Sequence, residues 1–244
     1  RAVSRLGWCI KNFGGYQKKI MRDVFFEAFE TYETGCAPVI QELARGVAPE
    51  RQTQLLGRAA AAMLDELEAG WQKKGDMEDE KIVLAIFFVP MVRKQQLPIS
   101  EEFVTILQKQ WVERYPKSPF YLGDYESISG GFRKKFLGLC FITTAVCQEL
   151  GKPDDCAELT AFRAFRDGYL AAQPDGEALI REYYNIAPGI VTCINTCSDR
   201  HASYERIREQ YLTPCYEDLL AGRNADCKTR YVQMVRDLER KYLN

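Results

Sequence analysis

The chain has 244 residues, with 33 lysines and arginines against 34 aspartates and glutamates, so its formal net charge is -1. This near-neutrality excludes a strong global attraction to nucleic acid or anionic lipid. Hydrophobic residues make up 46% of the chain, enough for one large domain or two small ones. The longest apolar run, 82–92, is much shorter than the roughly 20 residues that span a bilayer. No signal peptide is evident, and we expect a cytoplasmic protein.

Apolar residues recur at helical spacing through the first half of the chain. Glycine and proline separate these stretches: Gly35 to Pro38 interrupts an early helix, and Gly75 ends a later one. Ser100, followed by Glu101 and Glu102, is typical of a helix start with serine as the cap. The predicted helices span 18–32, 49–74, 78–92 and 100–115, with a short additional one ending near 45.

Residues 116–133 form the clearest loop, because prolines and glycines punctuate them and no period continues through them. A connection of this length is either a linker or a lid over a pocket. We favour a linker that extends to 135. The expected organisation is an N-terminal helical bundle over 1–115 and a second helical region over 136–244, packed separately or as one continuous domain.

The region after the predicted linker contains three helices joined by tight turns. The first, 139–150, ends at Gly151, which suits a left-handed cap. Asp154 and Asp155 offer oxygens to the free N–H groups of the second helix, and the third ends before Pro188. Short connections favour antiparallel packing of such neighbours.

Two further helices are predicted at the end of the chain, over 201–220 and 225–243, with Gly222 in the turn between them. Pro214 is expected to kink or split the first of them, because proline has no N–H and its ring collides with the preceding turn. No stretch alternates with a period of two over the length of a strand. The sequence therefore predicts an all-α, multi-helix bundle.

Three different sequence motifs lie between Leu139 and Val191. The residues concerned are Cys140, Phe141, Ile142, Thr144 and Ala145, then Arg163, Phe165, Arg166 and Asp167, then Tyr183, Tyr184, Ala187 and Pro188. In this order they resemble the CFI-box C-terminal domain, a bacterial family named for its Cys-Phe-Ile motif. Departures occur at Thr143 and Phe162, and at Val146 and Cys147, which replace a Tyr-Gly pair. The resemblance implies a bacterial protein with C-terminal helical hairpins, and it implies no reaction.

The nine cysteines are an unusual chemical feature of the chain. An odd count argues against an extracellular disulfide framework. Cys147 and Cys156 are equally distant from the turn between their helices, and so are Cys215 and Cys227. Each pair would meet across a helical hairpin if the rotational phase allows. A disulfide or a shared metal is one interpretation; we favour small buried apolar residues.

Cys193, Cys197 and His201 recur at every fourth position, which places them on one face of a continuous helix. Thiolate and imidazole groups are good ligands of zinc or iron. The spacing is not that of a standard structural zinc site, and the favoured alternative is an isolated surface His201. We expect no cofactor, with zinc or iron as the alternative if these cysteines, or Cys147 and Cys156, bind a metal.

Cys140 is the candidate catalytic residue. If it is exposed near a helix start, with Arg163 or Arg166 close across the hairpin, its thiolate would be favoured and would act as a nucleophile or a redox switch. The Thr143 and Thr144 hydroxyls would donate to it or to a substrate. Against this interpretation, the neighbouring residues are typical of a core, and no activating base is evident.

Arg163, Arg166 and Asp167 form a charged cluster on the second helix. One interpretation is an anion-binding arginine pair that Asp167 orients. The favoured alternative is a structural clamp from this helix to Glu182 or to a carbonyl group at a helix end. Tyr183 is a further ligand candidate, although it is expected first as a core aromatic whose hydroxyl needs a partner.

Two functional hypotheses follow, since no standard catalytic or nucleotide-binding motif is present. The first is an interaction or scaffold module that binds a protein partner or self-associates. The second is a thiol- or metal-dependent protein that uses the cysteines at 140–156 or Cys193 and Cys197. We favour the first, with recognition by packed helices and the 116–133 loop as an adjustable edge.

Overall fold

The computed structural model describes residues 3–73, 75–133, 140–197 and 199–243. Within these ranges the chain is mostly helical, and the β-type pairing is limited to an isolated bridge between Phe120 and Cys197. The all-α prediction is confirmed. The α-helices are α1 (Val3–Leu6), α2 (Trp8–Lys11), α3 (Phe25–Gly46), α4 (Gln52–Gly70), α5 (Asp76–Val83), α6 (Val89–Lys94), α7 (Ser100–Arg114), α8 (Tyr125–Arg133), α9 (Phe141–Glu149), α10 (Ala157–Ala164), α11 (Gly176–Thr196), α12 (Arg200–Ile207), α13 (Thr213–Leu220) and α14 (Asn224–Tyr242).

The described residues divide into two compact units. The first unit comprises 3–19, 24–130 and 195–197, and the second comprises 20–23, 131–194 and 199–243, without the residues outside the described ranges. No helix in the part of the chain that the structure describes has the length and apolar character needed to cross a membrane.

In the first unit, α4 packs along α7, and α3 packs against α6. Its core is rich in aromatic rings: Phe25, Phe29, Tyr32 and Phe87 are buried, and the Phe87 ring contacts each of the other three. The Tyr32 hydroxyl donates a hydrogen bond of 2.7 Å to the carbonyl oxygen of Cys9, which satisfies its polar group inside the core.

Helix α3 runs through Pro38 without interruption, so the break predicted at 35–38 is wrong. Proline removes one backbone hydrogen bond, but Val39, Ile40 and Leu43 on the same helix are buried. Burial of an apolar face supplies most of a helix's stability in a protein, and here it outweighs the local cost of proline.

The loop predicted over 116–133 is wrong in its second half, which forms α8. Asp124 explains where this helix begins. Its carboxylate accepts hydrogen bonds from the Ser127 N–H and hydroxyl, each at 2.8 Å, as an N-cap residue does. Ile128 and Phe132, four residues apart, are both buried.

Two wide π-helical segments each precede a proline. Leu84–Phe88 lies between α5 and α6, just before Pro90, and Arg208–Leu212 lies between α12 and α13, just before Pro214. A wider turn gives room for the proline ring, which would otherwise collide with the carbonyl group four residues earlier. The interruption predicted at Pro214 is confirmed: the α-helix gives way to a π-helical segment just before the proline.

Both glycine turns predicted in the second unit are confirmed. Gly151 and Gly222 have positive φ angles of 68° and 73°. After Gly151, the Lys152 N–H donates to the Cys147 carbonyl oxygen at 2.9 Å. After Gly222, the Arg223 N–H donates to the backbone carbonyl oxygen of Asp218 at 2.8 Å. These bonds close the ends of α9 and α13 in the Schellman pattern, for which glycine is favoured.

Helix α11 continues through Pro188 to Thr196, so the end predicted before Pro188 is wrong. Segment 20–23 belongs to the same unit as most of this helix. The Arg22 N–H donates to the Asn185 carbonyl at 2.9 Å, and a Cβ atom at Gly189 would lie only 1.7 Å from the Ile20 carbonyl oxygen. The close approach of this segment therefore depends on glycine at position 189.

Candidate ligand pocket at the start of helix α9

Cys140 occupies the N-cap position of α9 and is only 4% exposed. No side chain caps the helix locally, yet a first-turn N–H group has a partner: the Tyr183 hydroxyl, on α11, accepts a hydrogen bond of 2.9 Å from Ile142. Burial raises the pKa of Tyr183 well above its ordinary value, so the hydroxyl stays protonated. The predicted core position of Tyr183 and its need for a partner are therefore both observed.

Arg166 links Cys140 to α11. It lies in the π-helical segment Phe165–Leu170 that follows α10, and it is buried. Its Nη1 atom donates to the Tyr184 hydroxyl at 3.0 Å and lies 3.6 Å from the Cys140 sulfur. Its Nε and Nη2 atoms donate to the two oxygens of Asp167 at 2.6 and 2.8 Å. The guanidinium group is thus fixed on two sides, which is the geometry of a structural clamp.

The clamp has a different partner from the one expected. Glu182 does not receive Arg166; it accepts two hydrogen bonds from Arg236 on α14. Arg166 reaches the Tyr184 hydroxyl and the thiol at the start of α9 instead. Its hydrogen bonds lower the pKa of Asp167, whose side chain is mostly exposed.

The Cys140 thiol has two opposing influences on its pKa. Burial raises the pKa, and the positive charges of Arg166 and Arg163 lower it; burial dominates, so the pKa lies above its ordinary value. The thiol is therefore protonated at neutral pH, and a protonated thiol is a weak nucleophile. The single histidine, His201, lies beside Glu149 rather than Cys140.

Arg163 and Arg166 do not converge on one anion site. Arg163 donates to the backbone carbonyl and the carboxylate of Asp154, at 2.7 and 2.9 Å. Asp154 is therefore a partner of Arg163, and the prediction that Asp154 and Asp155 cap the next helix is wrong: Cys156 is the N-cap of α10, which has no side-chain cap. The Thr144 hydroxyl is buried and has no hydrogen-bond partner among the described residues.

The three segments of the family resemblance meet at one place. Cys140 and Ile142 come from the first segment, Arg166 from the second, and Tyr183 and Tyr184 from the third. The contacts described above join all three, although more than 40 positions separate Cys140 from Tyr183.

A pocket of about 50 Å³ opens beside this junction. Cys140 and Tyr183 lie in its lining together with Tyr231 of α14. The Tyr231 hydroxyl lies 3.4 Å from that of Tyr183 and 3.3 Å from the Thr143 hydroxyl. Apolar side chains form the walls: Phe162, Phe165, Leu170, Leu179, Ile180, Val232 and Val235. Leu170, Leu179, Ile180 and Val232 are only partly buried, so they form an apolar mouth.

Every charged side chain in the lining already has an ionic partner. Arg166 is paired with Asp167, and Arg236 is paired with Glu182. The pocket therefore presents an apolar interior without an uncompensated charge, which favours an uncharged ligand group.

The predicted metal-ligand face is not formed. Helix α11 ends at Thr196, and Cys197 lies in the isolated bridge with Phe120. Cys193 is buried with its sulfur 3.7 Å from the Tyr242 carbonyl oxygen, whereas His201 is exposed and lies 3.3 Å from Glu149. Among the described residues, no three histidine, cysteine or acidic side chains are placed to hold a metal ion.

The cysteines predicted to face each other across hairpins do so. The sulfur atoms of Cys147 and Cys156 are 3.8 Å apart, and the Cys215 sulfur is 3.9 Å from the Cys227 carbonyl oxygen. All four are free thiols. Three of them are buried, as the favoured interpretation predicts, and Cys156 is partly exposed.

The contribution of α14 to the pocket is not predicted by the sequence patterns. Tyr231, Val232 and Val235 line the pocket from this helix. Val232 and Val235 follow Tyr231 by one and four positions, which is typical of an apolar stripe on a helix. Such a stripe does not reveal which other helix it faces.

We compared the chain with models of protein families, with curated proteins and with solved structures, and none of the three comparisons gave a match.

Proposed function

We propose that this chain is a recognition module whose second unit binds an aliphatic side chain of a protein partner in the pocket beside Cys140. The observation that carries the proposal is the apolar pocket itself, with four partly exposed aliphatic residues at its mouth. A concave apolar site of this kind is the usual place for a ligand group.

The chemistry of the occupant follows from the charges and the volume. Both arginines and the glutamate in the lining are paired internally, so a charged ligand group would find no partner. A volume of about 50 Å³ is a third of the roughly 150 Å³ cavity that accepts benzene in an engineered protein. A valine or leucine side chain suits this space better than an aromatic ring.

The resemblance to the CFI-box domain supports the same location. Four of the residues that carry it, Cys140, Phe165, Arg166 and Tyr183, lie in the lining of the pocket. Three expectations remain predictions: membership of a bacterial family, a cytoplasmic location and the absence of a cofactor. Catalysis at Cys140 is not part of the proposal.

A peptide array tests the recognition function. Fluorescently labelled nonapeptides with randomised flanks carry leucine, alanine or aspartate at the centre. Burying a leucine side chain contributes about 1.5–3 kcal/mol, so central leucine is expected to bind at least about tenfold more tightly than central aspartate.

Two matched variants locate the binding site. Leu179→Asp places a charge at the mouth of the pocket and is expected to abolish the preference for leucine. Leu220→Asp changes a leucine that is 70% exposed and outside the lining, and it is expected to retain the preference. Equal binding of leucine and aspartate peptides would refute the proposal. A dimer of the wild-type chain in light scattering, lost in Leu179→Asp, would instead assign the pocket to a second copy of the chain.

A further inference from the structure

Cys147 and Cys156 differ from the other close cysteine pairs in their access to solvent. Cys9, Cys36, Cys215 and Cys227 are fully buried. The pair between α9 and α10 combines a buried thiol, Cys147, with a partly exposed one, Cys156.

The two sulfur atoms need only a small movement to bond. They are 3.8 Å apart, and a disulfide bond is about 2.05 Å long. Cys147 lies near the C-terminal end of α9, and Cys156 is the N-cap of α10 with an extended ψ of 155°. The turn between them contains Gly151, where a Cβ atom would meet no heavy atom within 4 Å, so no packing contact at this glycine opposes a small shift of the turn.

Both thiols of the pair border open space. Cys147 lines a second cavity of about 220 Å³, whereas the partly exposed Cys156 is reached directly from solvent. The Lys152 ammonium group, paired with Glu158, interacts electrostatically with both thiols, and the Glu158 carboxylate opposes its effect on Cys147.

We propose that Cys147 and Cys156 form a two-cysteine oxidation site, in which a hydroperoxide converts both thiols into a disulfide that joins α9 to α10. This inference does not rest on the proposed recognition function. The lining of the second cavity does not include Cys140, and the pair does not line the ligand pocket.

The accessible thiol reacts first. The Cys156 thiol loses its proton, and its sulfur attacks one oxygen of hydrogen peroxide; an S–O bond forms, the O–O bond breaks, and the departing hydroxide takes up the released proton to give water. The Cys147 sulfur then attacks the sulfenic acid. An S–S bond forms, the S–O bond breaks, and the second hydroxide leaves as water with the Cys147 proton.

The order of attack agrees with the environment of Cys147. Burial and the neighbouring thiol raise its pKa to about 12, which keeps it protonated until the sulfenic acid is beside it. The overall reaction oxidises the two sulfur atoms by two electrons together and reduces one peroxide to two molecules of water.

To test this, the reduced full chain is treated with equimolar hydrogen peroxide, the remaining thiols are blocked, and the products are identified by mass spectrometry. Trypsin leaves Cys140, Cys147 and Cys156 in one peptide, because Pro153 follows Lys152, and cleavage after Glu149 separates Cys156 from the other two. The expected product has lost two hydrogen atoms, and its fragments stay joined through Cys147 and Cys156 until a reductant is added.

Three variants make the result specific. Cys147→Ala is expected to stop at a sulfenic acid on Cys156, captured by dimedone. Cys156→Ser, which keeps a good capping residue at that position, is expected to remain reduced under the same conditions. Cys197→Ser removes another partly exposed thiol and is expected to react like the wild type. The proposal fails if the wild type stays reduced, if it oxidises first at Cys140 or Cys197, or if Cys156→Ser still loses two hydrogen atoms.

Discussion

At the start of α9 a tyrosine from another helix performs the role that serine, threonine or aspartate normally has. The Tyr183 hydroxyl is the acceptor for the Ile142 N–H, and both residues are buried. A buried donor without an acceptor costs more than the hydrogen bond itself contributes. The start of α9, and with it the position of Cys140, therefore depends on one distant hydroxyl group.

We predict that Tyr183→Phe lowers the free energy of unfolding by about 1–3 kcal/mol, because the Ile142 N–H loses its acceptor in a buried site. Urea unfolding measures this change, and faster hydrogen exchange of the Ile142 amide locates it. Tyr121→Phe is the control, since Tyr121 is 54% exposed, and it is expected to change stability by less than about 0.5 kcal/mol. Equal effects of the two substitutions would contradict the capping role.

Asp167 gives a pH-dependent prediction. Two hydrogen bonds from Arg166 hold its pKa below the ordinary value, so the unfolded chain takes up the proton more readily than the folded chain. Its contribution to stability is fully present above the unfolded pKa of about 3.9 and is lost as the pH falls through the folded pKa.

The stability difference between wild type and Asp167→Asn is therefore expected to be largest near neutral pH and to shrink below about pH 4. Urea unfolding at a series of pH values measures it. The stability difference is expected to be small, since the Asp167 side chain is 65% exposed. Asp155→Asn is the control, because the exposed Asp155 side chain makes no ion pair among the described residues, and the Asp167→Asn difference has to be larger. A difference that stays constant down to pH 3 would contradict the assignment.

At the scale of the elements, close approach of the backbone to α11 depends on a glycine inside the helix. A Cβ atom at Gly189 would lie 1.7 Å from the Ile20 carbonyl oxygen, a backbone atom that cannot rotate away. By contrast, a Cβ atom at Gly168, in the π-helical segment after α10, would meet no heavy atom within 4 Å. The two glycines are thus a matched pair with opposite expectations.

We predict that Gly189→Ala destabilises the chain by about 3 kcal/mol, because segment 20–23 has to move away from α11. Gly168→Ala is expected to stabilise it by about 0.4–1 kcal/mol, since alanine loses less conformational freedom on folding. Thermal unfolding of both variants measures the difference. Comparable melting temperatures would show that segment 20–23 does not pack on α11 as described.

Local chemistry in the sequence predicted the glycine turns correctly. Gly151 and Gly222 were recognised because a positive φ angle has a strong residue preference. Pro214 was recognised because proline disturbs a helix in a known way. Pro38 and Pro188 carry the same local signal, but the tertiary packing of α3 and α11 overrides it.

The candidate site was predictable in its residues and not in its geometry. Cys140, Arg166 and Tyr183 were all singled out from the sequence, and the structure brings them together. The partner of Arg166 and the contribution of α14 were missed, because the rotational phase of packed helices depends on contacts between distant parts of the chain. The sulfur contact of Cys147 with Cys156 was suggested by their equal distance from a turn, but the turn alone did not determine it.

On the scale of the whole molecule, near-neutral charge limits how a partner is recognised. The formal net charge is -1, and the charged residues of the pocket lining are paired with each other or with Asp167. Recognition is therefore expected to depend on apolar burial rather than on long-range electrostatic attraction.

We predict that the affinity for the central-leucine peptides changes by less than about twofold between 0.05 and 0.5 M sodium chloride, because screening acts mainly on unpaired exposed charges. Fluorescence anisotropy at the two salt concentrations measures it. A loss of affinity of tenfold or more would show that charge, rather than the apolar pocket, carries the binding.

The most direct test of the central claim is a methyl NMR titration of the full chain with the central-leucine peptide pool. We expect the largest shifts at the methyl groups of Leu170, Leu179, Ile180 and Val232, at the mouth of the pocket. Val112, a partly exposed valine in the first unit, is expected to stay unchanged. Shifts centred on other methyl groups, or no shifts at saturating peptide, would contradict the claim that this pocket recognises an aliphatic side chain.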